Sequence, residues 1–278
     1  MARIDRRRRV LPGFGLSLGI SLTYIAIIIA LPVAAMILKT ASLGWAEIWT
    51  IISSPRAMAS YRVTLTTAAA ATVFNAFFGL LMAWVLVRYR FPGRRLLDAL
   101  VDLPFALPTA VAGFALVTLF GVNGWYGRVL EPLGIKVAYA PLGIMVAMVF
   151  TSIPFVVRSV QPVLEDIAPD IEEAARNLGA RPWQVFAFVI WPLILPAFLA
   201  GCTLSFARSL GEFGAIVFIA GNIPRVTEVT SLLIYIRLDE FNYPAAAALA
   251  MVLLVIAFVL LFITNSLQIW AMRHEKTD

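Results

Sequence analysis

The chain has 278 residues, 61% of them hydrophobic and 14% charged, with a formal net charge of +6 and a mean hydropathy of +0.90. Soluble domains carry about 25% charged residues, so this chain lacks the polar surface that a water-soluble enzyme, a disordered chain or a nucleic-acid-binding protein requires. A spanning helix takes about 20 apolar residues, and the length holds roughly six of them with no large soluble domain besides.

The N-terminus, residues 1–13, sets Arg3, Arg6, Arg7, Arg8 and Arg9 against Asp5 alone. An apolar run over 14–38 follows. It is too long for a signal-peptide core and lacks a cleavage site, so it reads as a retained first span; Gly15 and Gly19 within it permit close approach of another helix. Leu43, Trp45, Ile48, Trp49 and Ile52 then fall at mixed helical spacing, which suits a short helix in the membrane interface. The second span, 61–87, carries Asn75 and stops at Arg88, Arg90, Arg94 and Arg95. The third, 96–120, opens on Asp98 and Asp102 and holds Pro104 and Pro108, then Thr109 and Gly113. Proline removes a backbone donor and bends a helix, so this span is either simply kinked or opened toward a cavity as discontinuous membrane helices are. The fourth span, 141–157, contains Thr151, Ser152 and Pro154; the fifth covers 192–220 and the sixth 244–270. Between the last two, residues 231–241 predict a short outer helix, and 271–278 form a polar tail.

Polar groups within lipid are costly and face a bundle interior or a cavity. Asn75, Pro104, Pro108, Thr109, Ser152 and Pro154 are therefore candidates for lining a pathway or acting as hinges. Arg208 and Glu212, four apart, share one helix face. They read either as an ion pair holding the bundle together or as a source of positive potential along an anion pathway, restrained by the glutamate.

Sorting the basic residues gives the orientation. With the N-terminus in the cytoplasm, fourteen lysines and arginines fall inside, seven fall outside, and Arg208 lies within a span. That bias predicts six spans with both termini cytoplasmic. The single cysteine, Cys202, can form no intrachain disulfide, and the single histidine, His274, sits in a polar stretch. No Gly-x4-Gly-Lys-Ser/Thr loop and no His-Glu-x-x-His occurs. The sequence offers no catalytic set, no metal site and no bound cofactor.

The loop over 161–191 is unusually polar for this chain. Asp170 is placed to cap a helix with Glu173 three residues on. Ile171, Ala174, Ala175 and Leu178 then form one apolar face, Gly179 stops the helix, and Pro182 suits the first turn of the next. A short helix carrying a shallow alanine face at the membrane surface offers close approach to another protein's groove.

Glu173-Ala174-Ala175, Gly179 and Val189-x-Trp191-Pro192 resemble the EAA motif of binding-protein-dependent ABC importer permeases, with Val189 where that family has isoleucine and Trp191 where it has leucine. The resemblance extends along the chain. The stretches Ser205 to Gly214, Arg90 to Gly93, Asp102 to Gly113 and Ser152 to Arg158 are similar to sulfate and molybdate permeases. Val10 to Phe14, Gly221 to Pro224, Thr227 to Leu232 and Glu240 to Ala246 are most similar to the T-type permeases of sulfate and thiosulfate importers. The resemblance implies an all-α, type I (MetI-like) permease with a single transmembrane domain over 14–270. It makes the 161–191 loop a coupling helix that docks on an ATPase through Glu173, Ala174, Ala175 and Gly179. It further implies a homologous W-type second permease, an ATPase dimer carrying ATP and Mg, a periplasmic sulfate-binding protein, and alternating access; membrane lipid, not nucleic acid, surrounds the chain. A molybdate or tungstate permease is the nearest alternative within the class, and a passive anion channel the alternative outside it.

Overall fold

The computed structural model describes residues 14–274, with the backbone alone at 265 and 267–274. The expected basic N-terminus, including Val10 to Gly13, and the last residues of the polar tail lie outside the described residues. The described chain is helical. Apart from short helical turns at Gly127–Leu130 and Glu131–Leu133, the elements are α1 (Phe14–Ala41), α2 (Trp45–Ile52), α3 (Pro55–Arg88), α4 (Arg94–Ala106), α5 (Thr109–Phe120), α6 (Pro141–Asp166), α7 (Pro169–Asn177), α8 (Pro182–Leu210), α9 (Gly214–Ile219), α10 (Thr230–Asp239) and α11 (Tyr243–His274).

The centre is built from α3, α6 and α8, with α11 packed on α8 and with α10 and the C-terminal half of α1 packed on α11. Lipid offers no hydrophobic drive between helices, so close packing of small residues holds them. Ala68, Ala71, Ala83 and Ala147 are buried there. Gly79 of α3 and Gly201 of α8 both lie against Val156 of α6, and a Cβ on either would stand 2.9 Å from it. The first half of α1 is different: no residue of Phe14–Ile25 is buried, and Gly19 has no atom within 4 Å of where a Cβ would stand. Gly15 is exposed, and among the described residues Gly19 has no helix to approach within this subunit.

The third expected span takes the discontinuous form that its prolines allowed, and the fourth and fifth have other bounds than expected. The third span is two helices, α4 and α5, bent by 114°. Pro108 causes the break, because the residue before a proline is driven out of the helical region, and Leu107 is extended (ψ 133°). The fifth span begins ten residues early, at Pro182, and ends at Leu210, with α9 as a separate short helix. It passes Pro192 because the turn Val185–Ile190 is π-helical. That wider turn relieves the clash a proline ring makes with the preceding turn. The fourth span runs on to Asp166, carrying Pro154 and Pro162 within it. The two short outer helices form as α2 and α10.

The broken span still traverses the molecule once. Asp98 and Asp102 of α4 are held by Arg158, late in α6, while Gly113 of α5 lies against Ala215, and Gly143, early in α6, lies against Ile219 of the same short helix α9. Residues 143 and 158 are about 22 Å apart along α6. Counted as one span, α4 and α5 bring the candidate crossings among the described residues from five to six, the number expected.

Candidate functional site: a surface hairpin and a buried polar seam

The hairpin that follows α6 is set by local chemistry. Ala168 is the N-cap of α7 and Pro169 takes its first position, where a proline's missing N–H costs nothing. Asp170 therefore does not cap the helix; it lies in the first turn with Glu172, where acidic groups complement the helix dipole. At the other end Gly179 has φ +88°. The Ala180 N–H donates to the Ala175 carbonyl at 3.1 Å and the Gly179 N–H to that of Arg176 at 2.9 Å, which is a Schellman ending. Gln184 Oε1 accepts from the Arg181 N–H at 2.8 Å and starts α8.

What fixes this hairpin to the membrane body is a residue that sequence reasoning passed over. The Glu172 carboxylate is 11% exposed and pairs with Arg88 at the end of α3. Arg176 Nη2 approaches the second carboxylate oxygen at 3.4 Å, and the Arg88 guanidinium lies 5.4 Å from the Trp84 ring. Of the expected contact residues, Glu173, Ala174 and Gly179 are exposed, whereas Ala175 packs against the cluster around Leu86, Leu164 and Val185. The expected single apolar face is thus divided: Ala175 faces the body, while Ile171, Ala174 and Leu178 face outward, Leu178 being 90% exposed. The available signal was the acidic doublet at 172–173, with Arg176 four residues beyond Glu172.

A polar seam runs through the centre of the bundle. Asn75 Nδ2 donates to Ser152 Oγ at 2.8 Å and to Ser205 Oγ at 3.2 Å, and Ser209 Oγ lies 3.1 Å from Ser152 Oγ. These side chains join α3, α6 and α8, and all four residues are fully buried. Asn75, Ser152 and Pro154, candidates for lining a pathway or acting as hinges, are enclosed within this subunit. The reason is that α3 and α8 both cross α6 at that level. Ser205 and Ser209 went unread because a serine within a span ordinarily bonds its own helix. Asn75 Oδ1 has no partner among the described residues.

Arg208 Nη1 and Glu212 Oε2 form an ion pair at 2.6 Å, the arginine side chain 33% exposed and the glutamate 1%. Glu212 lies just beyond α8, not on its face. Its Oε1 accepts from the Ala215 N–H at 3.0 Å, and its carbonyl accepts from Ser231 Oγ at 2.8 Å. One carboxylate thus ties α8 to α9, and its backbone reaches α10. Beside it, Thr109 seats against Gly214, and Gly113 packs so closely on Ala215 that a Cβ would collide with its backbone. Pro104 is buried against α6, and Pro108 is exposed at the break. A further pair was unread: Arg56 Nε and Nη2 donate to both Glu228 oxygens at 2.8 and 2.6 Å, and Glu228 is fully buried.

Among the described residues no three His, Cys, Asp or Glu side chains gather to hold a metal. The hairpin is a surface element tied to a close-packed bundle through Arg88 and Glu172, and a partly exposed cation, Arg208, stands near the end of α8.

Comparison with known proteins follows the same line. The family model for the binding-protein-dependent transport system inner membrane component matches residues 75–270. The chain is 60% identical over 261 residues to the sulfate transport system permease protein CysT of Escherichia coli (strain K12), covering 94% of each. Its fold matches a chain of the bacterial alginate ABC transporter crystallised with an alginate-bound periplasmic protein, with a TM-score of 0.76 at 19% identity over 91% and 92% of the two chains. It also matches the MetNI methionine ABC transporter in an inward-facing form, with a TM-score of 0.62 at 18% identity over 82% and 99%.

Proposed function

The chain belongs to the family of binding-protein-dependent transport system inner membrane components, and we propose from that premise that it is the sulfate permease subunit of an ABC importer. The observation that carries the cargo is the 60% identity, over 94% of both chains, to a sulfate transport permease. Thiosulfate, a tetrahedral dianion of the same charge, is taken as a second substrate. The chain itself is not catalytic; ATP and Mg bind on a separate ATPase dimer, and a W-type second permease and a periplasmic sulfate-binding protein complete the complex. Both termini and the hairpin face the cytoplasm.

In this reading the hairpin α7 is the coupling helix. Glu173, Ala174 and Gly179 meet the ATPase, while Glu172 and Ala175 hold the helix to α3 and to the start of α8. Movement of the ATPase on nucleotide binding is passed through the Arg88–Glu172 pair. The three helices joined at Asn75, Ser152, Ser205 and Ser209 then move as one body, and the pathway opens and closes at the contact with the second permease. Arg208, still partly exposed, gives that contact a positive potential, and Glu212 keeps it from trapping a dianion. The test is uptake of labelled sulfate by the reconstituted complex with binding protein and ATP, in competition with thiosulfate and molybdate. ATP-dependent uptake suppressed by thiosulfate is the expected result. Suppression by molybdate alone would transfer the chain to that cargo, and conduction without ATP would make it a channel.

A further inference from the structure

Four arginines crowd the end of α3 and the start of α4, and the structure divides their work. Arg88 is turned inward to Glu172. Arg90, Arg94 and Arg95 have no ion pair and no side-chain hydrogen bond among the described residues, and they line one cleft of about 510 Å³ with Phe91, Gly93 and Asp98. Gly93, at φ +88°, folds the chain back so that Arg90 and the pair that follows it flank the same opening. Asp98, which also lines the cleft, shares Arg158 with Asp102, so it offsets only part of the charge of the three arginines. The cleft keeps a net positive charge.

The helix that begins there is amphipathic. Val101 and Pro104 are buried, while Leu96, Leu100 and Leu103 are 66%, 50% and 38% exposed along the outward stripe. An exposed apolar stripe beside the bundle, ending in arginines and an exposed Tyr89, is how a helix lies at the acyl–headgroup boundary. A ligand that uses both halves has hydrocarbon chains for the leucines and an anionic phosphate for the arginines.

We propose that this cleft is a binding site for the headgroup phosphate of an anionic phospholipid whose chains lie along α4. A free inorganic anion would use the arginines and leave the leucine stripe without a role. The site is independent of the cargo, so its failure would leave the sulfate assignment untouched. Because α4 is tied through Arg158 to α6, the lipid would brace the first half of the broken span.

The test is lipid titration of the full chain in detergent by native mass spectrometry, using phosphatidylglycerol, phosphatidylcholine and inorganic phosphate as probes. Phosphatidylglycerol should bind at least tenfold more tightly than phosphatidylcholine. A basic residue near an anionic surface contributes about 1 kcal/mol, or roughly fivefold, so Arg90→Gln with Arg94→Gln and Arg95→Gln should weaken phosphatidylglycerol about 100-fold. The matching triple substitution to lysine, which keeps the charge, should retain most of the binding. Equal affinity for the two lipids in the unmodified chain, or undiminished binding in the glutamine variant, would overturn the proposal. So would full displacement of the lipid by millimolar inorganic phosphate, which would make the cleft a soluble-anion site.

Discussion

At the residue scale, two adjacent glutamates divide one task. Glu173 points outward and belongs to whatever the hairpin meets, while Glu172 points inward to Arg88 and sets where the hairpin sits. Losing one partner of a fully buried pair costs about 3–5 kcal/mol. Here Arg88 is 22% exposed and keeps some water, so Glu172→Gln should destabilise by about 1–3 kcal/mol, below that range. In a double-mutant cycle with Arg88→Gln, measured by denaturant unfolding of the purified chain, the two losses should fall short of additivity by at least ~1 kcal/mol. Strict additivity would mean that the pair carries nothing. Sequence spacing pointed to Glu173, Ala174, Ala175 and Gly179 through a motif, and could not find Glu172. Its partner is 84 positions away, and no local pattern reports a contact between α3 and α7. The pairing of Arg208 with Glu212 was readable because it is local, but the bond from Glu212 to the Ala215 N–H depended on where α8 stops.

At the element scale, the hairpin depends on one backbone angle. Nothing lies within 4 Å of where a Cβ on Gly179 would stand, so substitution there meets no steric wall and suffers only from the left-handed conformation, which costs an ordinary residue about 1–2 kcal/mol. Gly179→Val should therefore loosen the Schellman bond from Ala180 to Ala175 and separate ATP hydrolysis from uptake, whereas Gly179→Asn, which tolerates that region, should retain coupling. Hydrogen exchange at the Ala180 amide, alongside the ratio of sulfate taken up to ATP consumed, reads both effects. Identical behaviour of the two variants would remove the conformational argument. Helix ends of this kind were legible, since Gly179, Pro182 and the arginines after the second span are local punctuation. What was not legible is how a proline is accommodated. Pro108 breaks its span by 114° while Pro192 is carried through intact, and the difference lies in a π turn preceding Pro192 that residue identity does not announce. Pro154 and Pro162, too, lie within one continuous helix of 26 residues.

At the scale of the whole molecule, the parity of the crossings decides the orientation of the termini. Five helices are individually long and apolar enough to span, and an odd number would leave the termini on opposite sides; the bent pair makes a sixth crossing only if it is one span. With the pair as one span, α7 and α2 fall on opposite faces, and the proposed orientation sets α7 in the cytoplasm on the excess of arginine and lysine there. Hydropathy alone made the count of six readable, but the geometry behind the third crossing rests on Arg158 reaching Asp98 and Asp102 across 56 to 60 positions. Thiol labelling checks the arrangement directly. With Cys202 replaced by serine, a single cysteine at Asp170 and another at Glu47, both exposed positions, sample the two faces in the chain expressed alone. A membrane-impermeant maleimide should label Asp170→Cys only in inside-out vesicles and Glu47→Cys only in right-side-out vesicles. Labelling of both from the same side would reduce the crossings between them to an even number and make α4 and α5 a re-entrant loop. Labelling with the sides exchanged would keep the six crossings and invert the molecule, placing the hairpin where no cytoplasmic ATPase could reach it and removing the basis for coupling.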